Sequence, residues 1–518
     1  MCLDAFIADV WRPVVSDYLD PADKQKLDPP EKAFSSPIPT QVVSNGEFLP
    51  ARQSDKQRDV EARIKAMAAE LGGKQGLSRR RFLTTAAGMA AAFVAMNEVY
   101  GLYFDAERVE AATPELADAR AKSLSGQFIV DPHTHYIHDN PRKNSPLQQF
   151  ADFRNQFGAL GLNPDLAKHV QTLNDLRLNT YVKELFLDSD TKIAGLSGAP
   201  SDIADDWFLT NDQIAATRNG VNKFAGSKRL MSHFIFTPGQ PGWLDAIDRG
   251  IEELRPDAFK GYTIGDNMNK DISRFPWKMD DEKLVYPAYE KFVKAGIRNV
   301  AVHKGVFTLG EQAKFPRLTE YARPDDVGKA AKDWPQLNFL VFHGAYRYVG
   351  EGEPEMAGEQ FEKTGRMDWV TDVAEIRHTY GVDNVYGEIG ASFAVLCVSH
   401  PRVAAAMMGT LIKGLGVDHV LWGTDSIWFG SPQWQIEAFR RLEIPEDMRK
   451  KHGFAPLGPP DGPVKSAIFG HNSARLFGLE GLYTAGAGDR MHQFKEMYAA
   501  NGGERSNHVY GDIRKSMA

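Results

Sequence analysis

The chain has 518 residues, enough for two to four domains, although one large α/β domain can run past roughly 250 residues. Hydrophobic residues make up 42% and aromatic residues 11%, which is ordinary for a globular protein with a large core. The formal net charge of −7 gives no reason to expect a nucleic-acid partner. The two cysteines, Cys2 and Cys397, cannot form a disulfide framework or a cysteine-based zinc knuckle. Any metal ion would therefore be held by histidines and carboxylates.

The first part of the chain, residues 1–77, is polar and rich in Pro, Gln, Asp and Lys. Such a composition buries too little apolar surface to offset the entropy cost of ordering the chain. We predict that these residues form a largely extended or disordered extension.

The next segment, residues 78–111, begins with Ser-Arg-Arg-Arg-Phe-Leu and is Ala-rich and uncharged from Phe82 to Asn97. This run is shorter than the roughly 20 residues that a spanning helix needs, so we predict no stable membrane span. The segment is similar to a twin-arginine export signal, and residues 109–111 offer a cleavage site before Ala112. The resemblance implies the twin-arginine export machinery as a partner and a periplasmic or exported protein. The alternative is an Ala-rich helix that packs on the following domain and stays in place, in a cytoplasmic protein.

From residue 126 to residue 480, short apolar runs alternate with amphipathic stretches, a pattern typical of βα units around a parallel sheet. Eight such units predict an α/β fold, a (β/α)8 TIM barrel whose helices shield the sheet from water. The competing fold is an open doubly wound sheet, but no Gly-rich phosphate loop follows the first strand. Residues 481–518 are polar and Gly-rich, and we predict a peripheral tail there. The predicted strands cover residues 128–131, 192–197, 230–236, 258–262, 299–303, 339–343, 384–389 and 419–424.

The stretch of residues 128–138, Phe-Ile-Val-Asp-Pro-His-Thr-His-Tyr-Ile-His, carries the first sign of chemistry. Its apolar start predicts a buried strand, and side chains two positions apart in an extended chain point to the same face. His133 and His135 would therefore project side by side from the end of the strand, as two ligands of one metal ion do.

Three later strands also end in a residue that can bind a metal ion or move a proton, namely His303, His343 and Asp425. A lone histidine after an apolar run is more often structural. Their shared position at strand ends indicates a functional site, because the active sites of TIM barrels are built from strand ends on one face.

Together these motifs resemble the amidohydrolase superfamily, and specifically its amidohydrolase-related branch, which contains decarboxylases such as aminocarboxymuconate-semialdehyde decarboxylase as well as hydrolases. The resemblance runs through the barrel in motif order. The matching stretches are Asp-Pro-His-Thr-His at 131–135, Val-His at 302–303, Phe-His-Gly at 342–344, Gly-Thr-Asp-Ser at 423–426 and Ile-Phe-Gly-His-Asn-Ser-Ala-Arg-Leu-Phe-Gly at 468–478.

The resemblance implies that His133, His135 and His303 bind one divalent metal ion per chain, with Zn²⁺ favoured and Mn²⁺ as the other candidate. Asp425 would ligate the same ion and take a proton from the bound water. His343 would polarise the substrate or exchange protons with it, and could ligate a second ion. These roles agree with physical chemistry, since neutral imidazole is a good zinc ligand and a nearby carboxylate can act as a general base.

Four further residues are candidates for substrate binding, and each keeps an alternative. Lys260 ends the fourth strand, where binuclear members of the superfamily carry a carbamylated, metal-bridging lysine; it could instead contact substrate or form a structural salt bridge. Glu388 could contact substrate or pair with a neighbouring cation. Tyr346 and Trp428 fall in loops at the barrel mouth, where aromatic groups suit a planar substrate but also pack loops onto the barrel.

Two reactions fit this set of residues. The first is hydrolysis of a C–N or C–O bond in a small, carboxylated or aromatic molecule by a metal-activated water, and we place it first because the superfamily is mostly hydrolytic. The second is non-oxidative decarboxylation of a carboxylated ring or enol. A non-catalytic binding protein on the same barrel is the third reading, and a homo-oligomer is an expectation from the branch alone.

Overall fold

A computed structural model of the chain describes residues 36–48, 50–138, 176–483 and 488–503. Between the first and second predicted strands, residues 139–175 lie outside these described residues. So do residues 1–35 of the predicted extension and residues 504–518 of the predicted tail.

Eight parallel strands form one sheet in the order of the sequence. The last strand returns to the first, because Thr134 and Ser426 form a parallel bridge and the peptide N–H of His135 donates to the Ser426 carbonyl at 2.6 Å. The predicted (β/α)8 barrel is confirmed. Its strands are β1 Val130–Thr134, β2 Ile193–Leu196, β3 Leu230–Ile235, β4 Ala258–Tyr262, β5 Asn299–His303, β6 Asn338–Phe342, β7 Val385–Glu388 and β8 Val420–Leu421.

Alternate residues of the central strands face different layers of the core. On β5, Val300 and Val302 pack in the layer between the sheet and the helices, whereas Ala301 lies in the barrel interior with Leu340 of β6. Because side chains alternate along a strand, His303 shares the interior face of Ala301. Burial on both faces explains why these strands are continuous apolar runs in the sequence.

Helices surround the sheet, as the amphipathic stretches between the predicted strands lead one to expect. The α-helices are α1 Asp55–Lys74, α2 Arg79–Phe82, α3 Ala86–Tyr100, α4 Arg108–Ala112, α5 Pro114–Leu124, α6 Leu178–Val182, α7 Asn211–Ala225, α8 Trp243–Arg249, α9 Tyr286–Ala295, α10 Leu309–Lys314, α11 Thr319–Ala322, α12 Val327–Asp333, α13 Glu353–Thr364, α14 Val370–Tyr380, α15 Gly390–Cys397, α16 Pro401–Leu415, α17 Gln433–Arg441, α18 Glu446–His452, α19 Pro463–Ser466, α20 Asn472–Phe477 and α21 Arg490–Ala500.

The N-terminal residues differ from the expectation of a largely disordered extension. Residues 55–74 form α1, whose N-terminus has a capping box between Ser54 and Gln57, and residues 36–48 are mostly buried. The prediction is wrong for these two stretches because they bury apolar side chains against other parts of the protein. Helix α1 packs on α2 and α3, which buries Val60, Ile64 and Leu71, and Asn45 of residues 36–48 contacts Asp425 of the barrel.

Residues 78–111, which resemble an export signal, also pack on the rest of the protein. Helix α3 is buried from Ala90 to Asn97, and the Asp105 N–H donates to the Arg441 carbonyl at 2.7 Å. The guanidinium of Arg441 in turn pairs with Glu110 at 2.6 Å. This is the arrangement of the alternative interpretation, an Ala-rich helix packed on the domain; export itself stays a prediction. Within the described part of the chain, no helix has the length and apolar character needed to cross a membrane.

The predicted C-terminal tail includes a docked helix, α21. Asp489 caps its first turn and pairs with the buried Arg229 at 2.7 Å. The tail is peripheral in position, as expected, but part of it is held to the barrel.

Candidate metal centre

Five residues from four strand ends gather at the carboxyl end of the barrel, as the sequence predicts. All are buried, with exposed fractions of 1% for His133, 2% for His135, 6% for His303, 1% for His343 and 3% for Asp425. Polar groups without water contact must find partners within the protein or around a bound ion.

Three of these residues converge on one point. The Nε2 atoms of His133 and His135 lie 3.3 and 3.4 Å from the same oxygen, Oδ1 of Asp425. Two ligand atoms that each lie about 2.1 Å from a tetrahedral zinc ion are roughly 3.4 Å apart. The donor atoms of His133, His135 and Asp425 therefore have the spacing of a metal-binding set, and all lie within 4.8 Å of one another.

The two imidazole rings are oriented so that Nε2 faces this point. Nδ1 of His135 donates to the Ser197 carbonyl at 2.8 Å, and Nδ1 of His133 donates to Oε2 of Glu388 at 3.1 Å. With the proton on Nδ1, each Nε2 carries a free lone pair. These lone pairs face a carboxylate oxygen, which is also an electron donor, so a cation between them would stabilise the arrangement.

Burial keeps the histidines neutral, which is the form that binds a metal. Removal from water lowers the pKa of His135 to about 3 and holds the pKa of His133, His303 and His343 well below the usual value for histidine. The same loss of solvation raises the pKa of Asp425 to about 7.

The backbone at Asp425 is held in the left-handed region, with φ of 57°, which is rare for a residue with a side chain. Its N–H donates to the His133 carbonyl at 3.0 Å. Residues in such conformations cluster at functional sites, where the surrounding structure holds them in place.

His303 and His343 lie beside this set. Nε2 of His343 is 3.1 Å from Nδ1 of His303, and the His303 ring stacks on Tyr262 with centroids 5.1 Å apart. His343 forms a second candidate set with His133 and Glu388. Among the described residues, His303 belongs to neither of the two compact sets, in which all ligand atoms lie within 4.8 Å of one another. The predicted ligand role of His303 therefore stays a prediction.

Lys260 is fully buried and its Nζ atom has no hydrogen-bond partner among the described residues. The ammonium group lies 3.5 Å from the ring centroid of Phe342, and burial lowers its pKa to about 7 against the opposing charges of Glu388 and Asp425. A structural salt bridge would require an ion pair of Lys260, and none is present in the part of the chain that is described. Substrate contact and metal bridging remain predictions.

The other predicted substrate residues have different surroundings. Trp428 stacks on His135 with ring centroids 6.0 Å apart and also packs on Phe208. Tyr346 donates its hydroxyl hydrogen to the Tyr348 carbonyl at 2.9 Å, within its own loop. Glu388 orients His133 through its hydrogen bond with Nδ1; its contact with substrate and its pairing with a cation stay predictions.

Two residues that sequence reasoning missed come from the segment before the barrel. Nδ2 of Asn45 donates to Oδ2 of Asp425 at 3.1 Å, and Oε2 of Glu47 lies 3.8 Å from Nε2 of His303. Burial, followed by the charge of Asp425, raises the pKa of Glu47 to about 8. Neither residue follows a strand, so the strand-end pattern had no means of finding them.

Fold and site together define a TIM-barrel protein with a candidate metal centre at its carboxyl end, and the sequence profile of the amidohydrolase family matches residues 190–479. The chain belongs to the amidohydrolase family. The family and the set of His133, His135 and Asp425 support a divalent metal ion. No curated protein matches the sequence at a significant level.

The solved structures that match this chain are distant in sequence. An uncharacterised TIM-barrel protein from Bordetella bronchiseptica is 15% identical, with a TM-score of 0.42 over 68% of this chain and 99% of that one. A 2,6-dihydroxybenzoate decarboxylase from Rhizobium is 14% identical, with a TM-score of 0.38 over 68% of this chain and 100% of that one. A 5-carboxyvanillate decarboxylase from Novosphingobium aromaticivorans, solved with bound manganese, is 13% identical, with a TM-score of 0.37 over 68% of this chain and 98% of that one.

Proposed function

We propose that this protein is a divalent-metal-dependent enzyme that decarboxylates a small carboxylated ring or enol. The metal centre carries the proposal, with His133, His135 and Asp425 as the residues that would hold the ion. Bound there, a divalent cation would supply positive charge that attracts substrate oxygen atoms and withdraws electrons from the reacting bonds.

The second part of the proposal, a carboxylated substrate, rests on Lys260. A buried ammonium group without a hydrogen-bond partner among the described residues is costly, and a substrate carboxylate would supply the missing partner. The flat faces of Trp428 and Tyr262 lie beside the metal-binding histidines and would pack against a planar ring.

The enclosed site favours decarboxylation over hydrolysis, although the sequence analysis placed hydrolysis first. His133, His135 and Asp425 are each at most 3% exposed. Loss of carbon dioxide from a carboxylate is favoured where water is excluded, and the reaction consumes no water. The carbon–carbon bond breaks, its electron pair stays on the substrate carbon, and that carbon takes a proton. Asp425 and His343 would hold or move this proton.

Hydrolysis is the second candidate because of the position of the Asp425 carboxylate. Its Oδ1 faces the Nε2 atoms of His133 and His135, and a general base at this position could activate a water molecule. The similarity to named decarboxylases lies below 25% identity and concerns the fold, so the choice between the two reactions depends on this site.

The first experiment measures metal content per chain in protein purified without added metal. The parent is expected to hold about one divalent ion, and the His133→Ala/His135→Ala variant to hold none, because two ligands are removed. His378→Ala, an exposed histidine on α14, is the matched control and should keep the parent content. A parent without metal, or a double variant with the parent content, would refute the metal centre.

The second experiment separates the reactions with a panel of hydroxybenzoates beside esters, lactones and amides, in water enriched with oxygen-18. Decarboxylation releases carbon dioxide and leaves the remaining product without the label. Hydrolysis places one labelled oxygen in a product. Labelled product from the best substrate would overturn the decarboxylase proposal in favour of hydrolysis.

A further inference from the structure

The mouth of the barrel is covered by a segment from far upstream, residues 36–48, which we call the N-terminal strap. The apolar side chains of the strap are buried, which shows that it packs against the protein. They are at most 3% exposed and belong to Ile38, Val42, Val43 and Phe48. It is tied to α1 by a hydrogen bond from Oγ1 of Thr40 to the Glu61 carboxylate at 3.1 Å.

A tight turn in the strap points two polar side chains at the candidate metal centre. The Glu47 N–H donates to Oδ1 of Asn45 at 3.1 Å, and the Gly46 N–H donates to Oγ of Ser44 at 3.0 Å. Gly46 has φ of 99°, which suits glycine and allows the chain to reverse there. The turn places Asn45 against Oδ2 of Asp425 and leaves Oδ1 of that carboxylate to face the histidines.

Two features of Glu47 suit a metal ligand, although neither Glu47 nor His303 belongs to the compact set of His133, His135 and Asp425. Its Oε2 lies 3.8 Å from Nε2 of His303, and ligand atoms of one ion are roughly 3.0 to 3.8 Å apart for bond angles between about 90° and 130°. Oε1 accepts from Nδ2 of Asn267 at 3.3 Å, whereas Oε2 is buried with no hydrogen-bond partner in the described ranges. The side chain is only 11% exposed, so an unpaired carboxylate oxygen there is costly without a cation.

The charges around the centre agree with this role. With His303 as a third ligand beside His133 and His135, three neutral imidazoles and the carboxylates of Asp425 and Glu47 would carry two negative charges, which a divalent ion balances. The ammonium group of Lys260 also acts on both carboxylates. Lys270 is one lysine whose charge acts on Glu47, but its ammonium pairs with Glu311 at 2.6 Å.

We propose that Glu47 is a ligand of the metal ion, supplied to the barrel by the N-terminal strap. This rests on the proposed function only in requiring a metal at the centre, and it holds whichever reaction the enzyme performs. Because the ligand and the strap are one chain, binding of the metal and closure of the strap are coupled, and each stabilises the other.

The test is the affinity of purified metal-free protein for Zn²⁺, measured by competition with a chromogenic chelator. Glu47→Gln keeps the shape of the side chain and the contact with Asn267 but removes the charge. We expect its affinity to fall by about 10- to 100-fold. Glu61→Gln is the matched control, because it alters a carboxylate that contacts the strap but not the centre; its affinity should stay within about 2-fold of the parent.

Two further readouts keep the test decisive. Replacement of zinc by Co²⁺ gives a visible spectrum that reports the ligand set, and the spectrum should differ between the parent and Glu47→Gln. Amide hydrogen exchange of residues 36–48 should slow on metal binding in the parent and much less in the variant. If Glu47→Gln does not fold, Glu47→Asp, whose carboxylate is one methylene shorter, should still bind zinc more weakly than the parent.

The outcomes separate the two proposals. A parent that binds no metal refutes the metal centre and with it the role of Glu47. A parent that binds zinc while Glu47→Gln keeps the parent affinity and cobalt spectrum refutes the role of Glu47 alone. Reduced affinity in both Glu47→Gln and Glu61→Gln, with an unchanged cobalt spectrum, would also refute it and assign the effect to docking of the strap.

Discussion

At the scale of single residues, Glu388 illustrates how a buried carboxylate can serve the centre by orienting a ligand. It ends β7, is fully buried, and accepts hydrogen bonds from Nδ1 of His133 and from the backbone N–H of His343 at 3.1 Å each, and from the Gly390 N–H at 2.6 Å. One carboxylate thus fixes the tautomer of His133 and the backbone that carries His343.

Replacing Glu388 with glutamine should therefore weaken metal binding by about 10- to 100-fold. The carboxylate now accepts N–H groups at both oxygens, and the amide NH₂ of glutamine would point a second donor at one of these N–H groups. Zinc competition on metal-free protein measures the change. Glu353→Gln is the matched control, since Glu353 also accepts from two backbone N–H groups, those of Leu309 and Gly350, but contacts none of the candidate ligands. Equal affinities for both variants would show that orientation of His133 contributes little.

The residues that the sequence could predict share one property, a position at the end of a strand. His133, His135 and Asp425 meet because parallel strands place their carboxyl ends on one face of a barrel. Asn45 and Glu47 have no such signal. They lie in a polar segment, and Asn45 reaches Asp425 across 380 residues of sequence, a contact that no local pattern encodes.

At the scale of elements, the predicted strands are confirmed but the ends of two were misplaced for a physical reason. Strand β8 covers only Val420–Leu421, since the N–H of Trp422 donates to the Ile468 carbonyl and that of Thr424 to the Asp131 side chain. Strand β1 begins later and runs to Thr134, which pairs with Leu196 past an irregularity. Backbone groups that the hydrophobic pattern assigns to strand pairing form hydrogen bonds with side chains and loops instead.

Helix α3 provides the sharpest test of how the export-like segment is held. A Cβ atom at Gly88 would stand 2.3 Å from the Phe82 carbonyl oxygen and 2.7 Å from Cα of Leu83, both backbone atoms that cannot move aside easily. Gly88→Ala should lower the free energy of unfolding by about 1 to 3 kcal/mol, because of this overlap.

The control for Gly88→Ala is Gly73→Ala, in α1, where an added Cβ meets no atom within 4 Å. That change should be neutral or stabilise the protein by about 0.5 to 1 kcal/mol, as alanine favours helix over glycine. Urea unfolding of both variants measures the difference. Two similar results would mean that residues 82–88 do not pack as described in solution.

At the scale of the whole molecule, the N-terminal residues are part of the folded unit, and a chain that begins at Ala112 should be impaired. It would lack Asn45, Glu47 and Glu110, the closer of two carboxylates that pair with the buried Arg441, the other being Glu437 at 3.5 Å. Loss of Glu110 weakens the ion pairing of this buried guanidinium, and unpaired buried charge is destabilising. We expect lower soluble yield, a lower thermal midpoint and weaker zinc binding than in the full chain.

The same comparison bears on export, which stays a prediction. The intact mass of the protein recovered from periplasmic and cytoplasmic fractions would show where the chain resides and whether residues 1–111 remain attached. A stable, metal-loaded chain that begins at Ala112 in the periplasm would support cleavage and would mean that the packed N-terminal residues are dispensable.

The contact between Asn45 and Asp425 also has a consequence during synthesis. The two residues are 380 positions apart, and at about 5 to 20 residues per second the second leaves the ribosome roughly 20 to 80 s after the first. The strap is therefore synthesised early, and its partner Asp425 is available only after the eighth strand has been synthesised. Capture of the metal ion then belongs to the last moments of folding, when the oldest and some of the newest parts of the chain first meet.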